Sequence, residues 1–330
     1  FIIIGDRVWA HLRPASGATE PAPLKWIGLG SGVILLIMGF IFIGIQGGYD
    51  LSADSAPSIA TSLISTHIPL DYSPYAGIPF FYPLGLPLVA SMMGSLSIPP
   101  HAAAWLLGLS GFILLFIRLA QQVFRETQSK EAILIALLLF LGLRSPLQSL
   151  LQGEYALLLS LGIGWSALLM SLSQRGILSY PLWAAAFVIH PYGMMISFIA
   201  RVVLAPLHWR YGLTILASTI LLSWPVWIYQ FVPLLIQSTP VHGILEFPTL
   251  THFVSALFLT GLLPLLLGIG ALFWSLSKGY YSQPWRAWIL VILGILGYLA
   301  TIPFPSFVLG GKIILLSGFG ILLAGSILLF

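Results

Sequence analysis

From residue 26 to its last residue, this chain is a succession of apolar runs, each about as long as a helix, with its few charges gathered mainly in the gaps between them. About 20 apolar residues are what an α-helix needs to cross the ~30 Å hydrocarbon core of a bilayer. A helix also satisfies its own backbone groups in lipid, where an open sheet edge is not tolerated. The runs therefore predict a polytopic, all-α membrane protein. Composition leads to the same place: 7% of the 330 residues are charged, 58% are hydrophobic, and the mean hydropathy is +1.02. Soluble domains carry roughly a quarter charged residues. Thirteen basic and nine acidic side chains do not cover the surface of a soluble chain of this size, so an isolated cytosolic enzyme is excluded.

The absence of cysteine removes disulfides, thiolate metal sites and cysteine nucleophiles. The net charge of +4 is explained first by cytoplasmic loops of a membrane protein, so no nucleic acid is implied. No signal peptide is read from the opening FIII.

Residues 5–25 have the polar, Pro- and Ala-rich composition of a loop or tail, and 26–48 form the first apolar span. Residues 49–78 are the longest polar stretch after it. Further spans are predicted over 101–123, 131–144, 155–172, 179–190, 191–205, 211–230, 252–276, 287–302 and 310–330. Segment 83–97 is flanked by prolines and short of a crossing, so it reads as a half-inserted or interfacial helix. With the N-terminal tail inside and 83–97 not crossing, Arg7, Arg13, Lys25, Arg118, Arg125, Lys130, Arg175, Arg201, Arg210, Lys278 and Arg286 all fall at cytoplasmic ends. The positive-inside rule thus favours about ten transmembrane helices with both termini cytoplasmic; the plasma membrane of a prokaryote is the expected location. The chain divides into the tail 1–25, a transmembrane core 26–240 that includes the outer loop 49–78, and C-terminal transmembrane helices 241–330.

On this topology the outer face receives Asp50, Asp54, Asp71, Glu154 and Glu246, the cations Arg144 and Lys312, and the histidines His67, His101, His190, His242 and His252. Chemistry is sought there. Asp50 and Asp54 follow the first span, in a segment whose 54–65 stretch reads as a short helix along the membrane surface, and at four residues apart both carboxylates could share one helical face. Either could be a general base whose pKa is raised by partial desolvation at the lipid boundary. Either could equally be a solvated loop acid, with Asp54 favoured near a helix start by the dipole. Arg144 ends an apolar run on the cation-poor side, at a cost of roughly 2.5–3.5 kcal/mol if it is inserted without an anion. It either pairs with Glu154 to hold two helix ends together or binds a phosphate bidentately.

His190-Pro191 interrupts an apolar segment, because the residue before proline resists the α conformation. Two short helices meeting near the outer face are expected, with His190 either satisfied by a backbone carbonyl or facing a phosphate or hydroxyl in a cavity. Lys312, after two glycines, either snorkels to the interface or binds a ligand. The outer histidines lack metal-ligand spacing, and there is no nucleotide loop, nucleophile elbow or zinc signature. Metal ligands are therefore not assigned, and no cofactor is firmly implied.

Three stretches, taken in order, carry a resemblance. The first is the acid near the membrane exit, a short segment ending in TSLIS, and LDYSPYAGIPFFYPLGLPLVASMMGSLSIPP. The second is LRSPLQSLLQGEYALLLSLGIGWSALLMSLSQRG at 143–176, and the third is LSYPLWAAAFVIHPYGMMISFIARVVLAPLHWR at 178–210. Over about residues 26–240 the chain resembles the polyprenyl-phosphate-mannose-dependent mannosyltransferases and their relatives of the GT-C glycosyltransferase fold class. Leu84 stands where that family has a second proline, Glu154 where glutamine is usual, Ala156 where asparagine is usual and His190 where lysine is usual.

The resemblance implies inverting transfer of a mannose-like sugar from a polyprenyl-phosphate donor to an acceptor on the outer face, without nucleotide sugar. It implies Asp50 or Asp54 as the base, with Asp50 closer to the helix exit. Arg144, His190 and Lys312 would stabilise the leaving lipid phosphate, and Glu154, Tyr82 and His67 would line the site. Membrane lipids and other membrane subunits are the expected partners. A single base fits inversion, since retention would usually require a second carboxylate about 5 Å away. The altered positions also fit a non-catalytic relative serving as a structural or assembly subunit. A transporter is a third reading; the broken helices suit it, but no inverted repeat and no acid within a mid-membrane helix is evident.

Overall fold

In the computed structural model, which describes residues 24–45, 71–72, 75–79, 84–151, 153–172, 178–204, 209–224, 250–261, 284–301 and 310–328 with isolated positions between 264 and 273, the apolar runs become helices close to their predicted bounds. They are α1 (Leu24–Ile45), α2 (Gly85–Gly94), α3 (Pro100–Thr127), α4 (Lys130–Gly142), α5 (Arg144–Leu151), α6 (Tyr155–Ser171), α7 (Ser179–Ile189) and α8 (Pro191–Leu204). Then follow α9 (Trp209–Leu222), α10 (Leu250–Thr260), α11 (Pro284–Thr301), α12 (Gly310–Ile313) and α13 (Leu315–Leu328). Among the described residues the fold is helical apart from a short antiparallel ribbon, β1 (Asp71–Tyr72) with β2 (Tyr75–Pro79), which pairs Asp71 with Pro79 and Tyr72 with Tyr75. That ribbon lies across the end of the stretch read from sequence as a polar loop.

Local chemistry explains the boundaries. Pro99 and Pro100 start α3, where a missing N–H costs nothing, and Gln128, in the left-handed region at φ 53°, ends it. Ser129 caps α4 by accepting the Ala132 N–H at 3.2 Å. His190 is extended, and its N–H still reaches the Ala186 carbonyl at 2.9 Å, so α7 stops there and α8 begins at Pro191. The expectation of two short helices meeting at His190 is met. The run expected over 252–276 is interrupted: α10 stops at Thr260, where Gly261 takes φ 101°, open to glycine and hostile to other residues, and the described positions between 264 and 273 are helical again.

Among the described residues, one helix, Pro100–Thr127, is long and apolar enough to cross a membrane. Its 28 residues span roughly 42 Å at 1.5 Å per residue. The ten-residue α2 covers roughly 15 Å and falls short of a crossing, as expected for segment 83–97.

α6 is the centre. From Tyr155 to Leu168 every side chain except Ile163 is buried; α3, α7 and α8 pack around it, and Phe319 of α13 reaches Trp165. The closest approaches are made by small residues. A Cβ on Gly111 of α3 would collide with the backbone of Leu158 and Leu159, and one on Gly162 would lie 2.7 Å from the Gly111 carbonyl. Gly164 and Ser197, and Gly193 and Ser160, bring α6 against α8 in the same way. Gly294 and Gly320 do so between α11 and α13. Such contacts let backbones approach where packing rather than water drives helix association. Aromatic rings fill the wider gaps: Phe140 of α4 lies 4.7 Å from Phe112, and Trp165 meets Phe319 edge-on at 5.6 Å.

Matched contacts fix helix direction. Gly108 faces Tyr155 and Arg118 faces Ser166, so α3 runs parallel to α6. Ser160 faces Gly193 and Ser171 faces Arg201, so α8 is parallel to them too. The bundle therefore has a Glu154–His190–Lys312 end and an opposite end carrying Arg118, Arg125 and Arg201. Large apolar side chains also face outward, including Leu36 (64% exposed), Leu138 (69%) and Leu221 (71%).

Candidate functional site

Three chain breaks build the site. The first is the turn between α5 and α6, where Gly153 adopts φ 80°, a conformation that favours glycine. The Glu154 N–H bonds to the Ser149 carbonyl at 2.8 Å, which sets Glu154 at the N-cap of α6. Its carboxylate makes no capping bond. It accepts instead from the Ser149 hydroxyl at 2.8 Å, near the positive end of the helix dipole.

The second break is His190-Pro191. The His190 carbonyl accepts from the N–H groups of Gly193 and Met194 at 3.1 and 3.3 Å. The Ser160 hydroxyl lies 2.8 Å from that carbonyl and 2.7 Å from the Ala186 carbonyl, which ties the break to the middle of the bundle. The imidazole is buried, and its Nδ1 finds no hydrogen-bond partner among the described residues. A buried polar nitrogen without a partner is costly and marks a place where a ligand group could bond.

The third break precedes α13. Lys312 in the short helix α12 reaches across to Glu154, with Nζ 3.5 Å from Oε1. The ammonium also sits 5.8 Å from the centre of the Tyr192 ring, and that ring is 5.4 Å from the ring of His190. Glu154, His190, Tyr192 and Lys312 thus converge from three separate parts of the chain. Lys312 is 14% exposed, so it is folded onto its neighbours and does not extend outward as snorkelling would have it.

The structure brings three of the sequence-named residues together: Glu154, His190 and Lys312. The cation observed on Glu154 is Lys312. Arg144 begins α5, close in sequence to the site, but its side chain lies outside the described residues, as do Asp50, Asp54, His67 and Tyr82. His242 and Glu246 lie outside them as well. Among the described residues no group of three or more His, Asp or Glu could hold a metal ion.

Sequence reading missed Tyr192, Ser149 and Ser160. The signal for Tyr192 was its place two residues after His190 in HPYG, at the start of the new helix, where a side chain points back towards the break.

Chemically, the cluster offers one positive charge, a partly matching carboxylate, an aromatic face and a buried imidazole nitrogen. A lysine binds phosphate as a point charge, and an aromatic face beside it can carry apolar or sugar surface. No family model, characterised protein or solved structure matches this chain.

Proposed function

We propose that this chain is a polytopic membrane glycosyltransferase that transfers a mannose-like sugar, with inversion, from a polyprenyl-phosphate donor to an acceptor on the extracytoplasmic face. The observation that carries the reading is the convergence of His190 and Lys312, two of the three residues expected to hold the donor phosphate, at one end of the bundle. The outward-facing leucines and the glycine-mediated helix contacts support a lipid environment for the rest of the chain.

In this mechanism Asp50 or Asp54 takes the proton of the acceptor hydroxyl. The acceptor oxygen attacks the anomeric carbon, and the bond from that carbon to the lipid-phosphate oxygen breaks. The electron pair leaves with the polyprenyl phosphate, where Lys312 meets the developing charge and His190 supplies a hydrogen bond. Removing one such charge-stabilising group costs about 10²-fold or more in turnover. Lys312→Gln accordingly lowers kcat for sugar transfer by about 10²-fold.

Glu154 sharpens the test, because it competes with phosphate for Lys312. A pair that keeps some contact with solvent is worth roughly 1 kcal/mol, so Glu154→Gln lowers the KM for polyprenyl-phosphate mannose by about fivefold. Both are measured with the purified full chain and labelled donor. A wild-type chain that transfers no sugar from that donor, or a Glu154→Gln KM that rises, overturns the reading.

The alternative is a non-catalytic relative of the same architecture serving as a structural or assembly subunit. The Glu154–Lys312 contact favours it, since the same pair can be read as a clasp between α6 and the last helices. In that case Glu154→Gln and Lys312→Gln lower thermal stability together, the double variant is no worse than either, and no transfer is seen.

A further inference from the structure

Sugar transfer by an outer-loop aspartate, Lys312 and His190 leaves one member of the cluster, Tyr192, without a part. Its ring lies beside both groups proposed to meet the donor phosphate, 5.4 Å from the ring of His190 and 5.8 Å from the Lys312 ammonium.

The backbone fixes that ring. Pro191 before it has a locked φ, and Gly193 after it is seated so closely on α6 that a Cβ there would collide with the Ser160 side chain and lie 3.1 Å from the Leu161 nitrogen. The Gly193 and Met194 N–H groups donate to the His190 carbonyl and close the same turn. Tyr192 is a fixed point of the site.

Lys312 is held more loosely. Its charge is carried on a flexible stem, and it stands in the short helix α12 behind Gly310 and Gly311. Its 3.5 Å contact with Glu154 is longer than the roughly 2.7–2.9 Å of a charge-assisted hydrogen bond. The other carboxylate oxygen is engaged as well, since Oε2 accepts from the Ser149 hydroxyl at 2.8 Å. An ammonium has three donors, so Lys312 keeps donors for a second anion.

Glu154 and Tyr192 act on that ammonium in different ways. The carboxylate neutralises it and competes with phosphate. An aromatic face attracts a cation through its quadrupole and leaves both the charge and the donors in place. We propose that Tyr192 is a positioning residue: its ring holds the Lys312 ammonium beside His190 against the pull of Glu154, so that the charge stays available to the phosphate of the lipid donor. This rests on the donor assignment of the proposed function and adds to it the group that keeps the phosphate-binding cation in place.

The test is equilibrium binding of labelled polyprenyl phosphate, without sugar, to the purified full chain in detergent. Tyr192→Leu keeps an apolar side chain but has no π face, and it raises Kd about fivefold, the size of one partly exposed cation–π contact. Tyr192→Phe keeps the face and changes Kd by less than about twofold. Glu154→Gln removes the competitor, so in that background Tyr192→Leu also changes Kd by less than about twofold, a coupling that loss of packing alone would not produce. Ring-fluorinated phenylalanine at position 192 keeps the shape and withdraws charge from the face. It weakens binding in the same direction and carries the test if the leucine variant does not fold.

Binding by Tyr192→Leu or by the fluorinated variant at the wild-type Kd overturns the inference. An equal loss in Tyr192→Phe and Tyr192→Leu overturns it too, because the hydroxyl is then the contact. An equal loss with and without Glu154 makes the role one of packing and overturns it as well. None of these results touches the donor assignment. A wild-type chain that binds polyprenyl phosphate and transfers no sugar fails the transferase reading and leaves this inference standing, whereas a chain that binds no polyprenyl phosphate fails both.

Discussion

Gly111→Leu collapses the thermal stability of the chain in detergent, by about 3 kcal/mol or more, the upper range for overpacking a fitted interior. The size follows from what stands in the way. A Cβ at position 111 meets the backbone of Leu158 and Leu159 on the buried central helix α6, and the backbone there cannot move aside as a flexible side chain does. To admit the larger residue α3 must separate from α6, which strips contacts from Phe112, Leu115 and Tyr155, all almost fully buried. It also pulls Arg118 away from Ser166.

A control separates this steric effect from helix propensity. Gly28→Leu in α1 places its Cβ in open space, so it leaves the midpoint within about 1 kcal/mol, or raises it slightly, as replacing a helical glycine does. The measurement is thermal unfolding of the purified variants followed by circular dichroism. Equal midpoints for the two variants would contradict the close α3–α6 contact.

Much of this fold was legible because the apolar runs and the residues that stop helices are both written directly in the chain. The pair 179–190 and 191–205 became α7 and α8 with the break at His190, since the residue before proline avoids the helical region whatever surrounds it. The run 252–276 hides one interruption, because hydropathy counts composition and is blind to φ: Gly261 has no side chain to lower the average, yet it ends α10, and the described positions between 264 and 273 are helical again. The short ribbon at 71–79 was invisible for a related reason, as its tyrosines and prolines read equally well as loop.

The candidate site was legible in its members and not in its pairings. Glu154, His190 and Lys312 stood out as polar residues at the ends of apolar runs. That Glu154 meets Lys312, more than 150 residues away, depends on α13 running parallel to α6, and neither residue's surroundings in sequence record that. The glycine pairs that seat the helices were equally silent, because a small residue announces close approach without naming its partner.

One of the two outer-loop aspartates is expected to be indispensable. A positioned base contributes roughly 10²–10⁴-fold to a proton transfer, and an acceptor hydroxyl is too weakly acidic to attack an anomeric carbon while it keeps its proton. Asparagine matches aspartate in shape and hydrogen-bonding reach but takes no proton, so Asp50→Asn and Asp54→Asn separate basicity from packing. A structural acid would show as a lowered unfolding midpoint with kcat preserved in the folded fraction; a base would show the reverse.

The decisive measurement is the single-turnover rate of sugar transfer from labelled polyprenyl-phosphate mannose by the purified full chain, compared among wild type, Asp50→Asn and Asp54→Asn at equal folded concentration. The account predicts transfer by the wild-type chain with inverted anomeric configuration, a rate lowered by about 10³-fold in one aspartate variant, and a rate within a few-fold of wild type in the other. Transfer by both variants at the wild-type rate would contradict it.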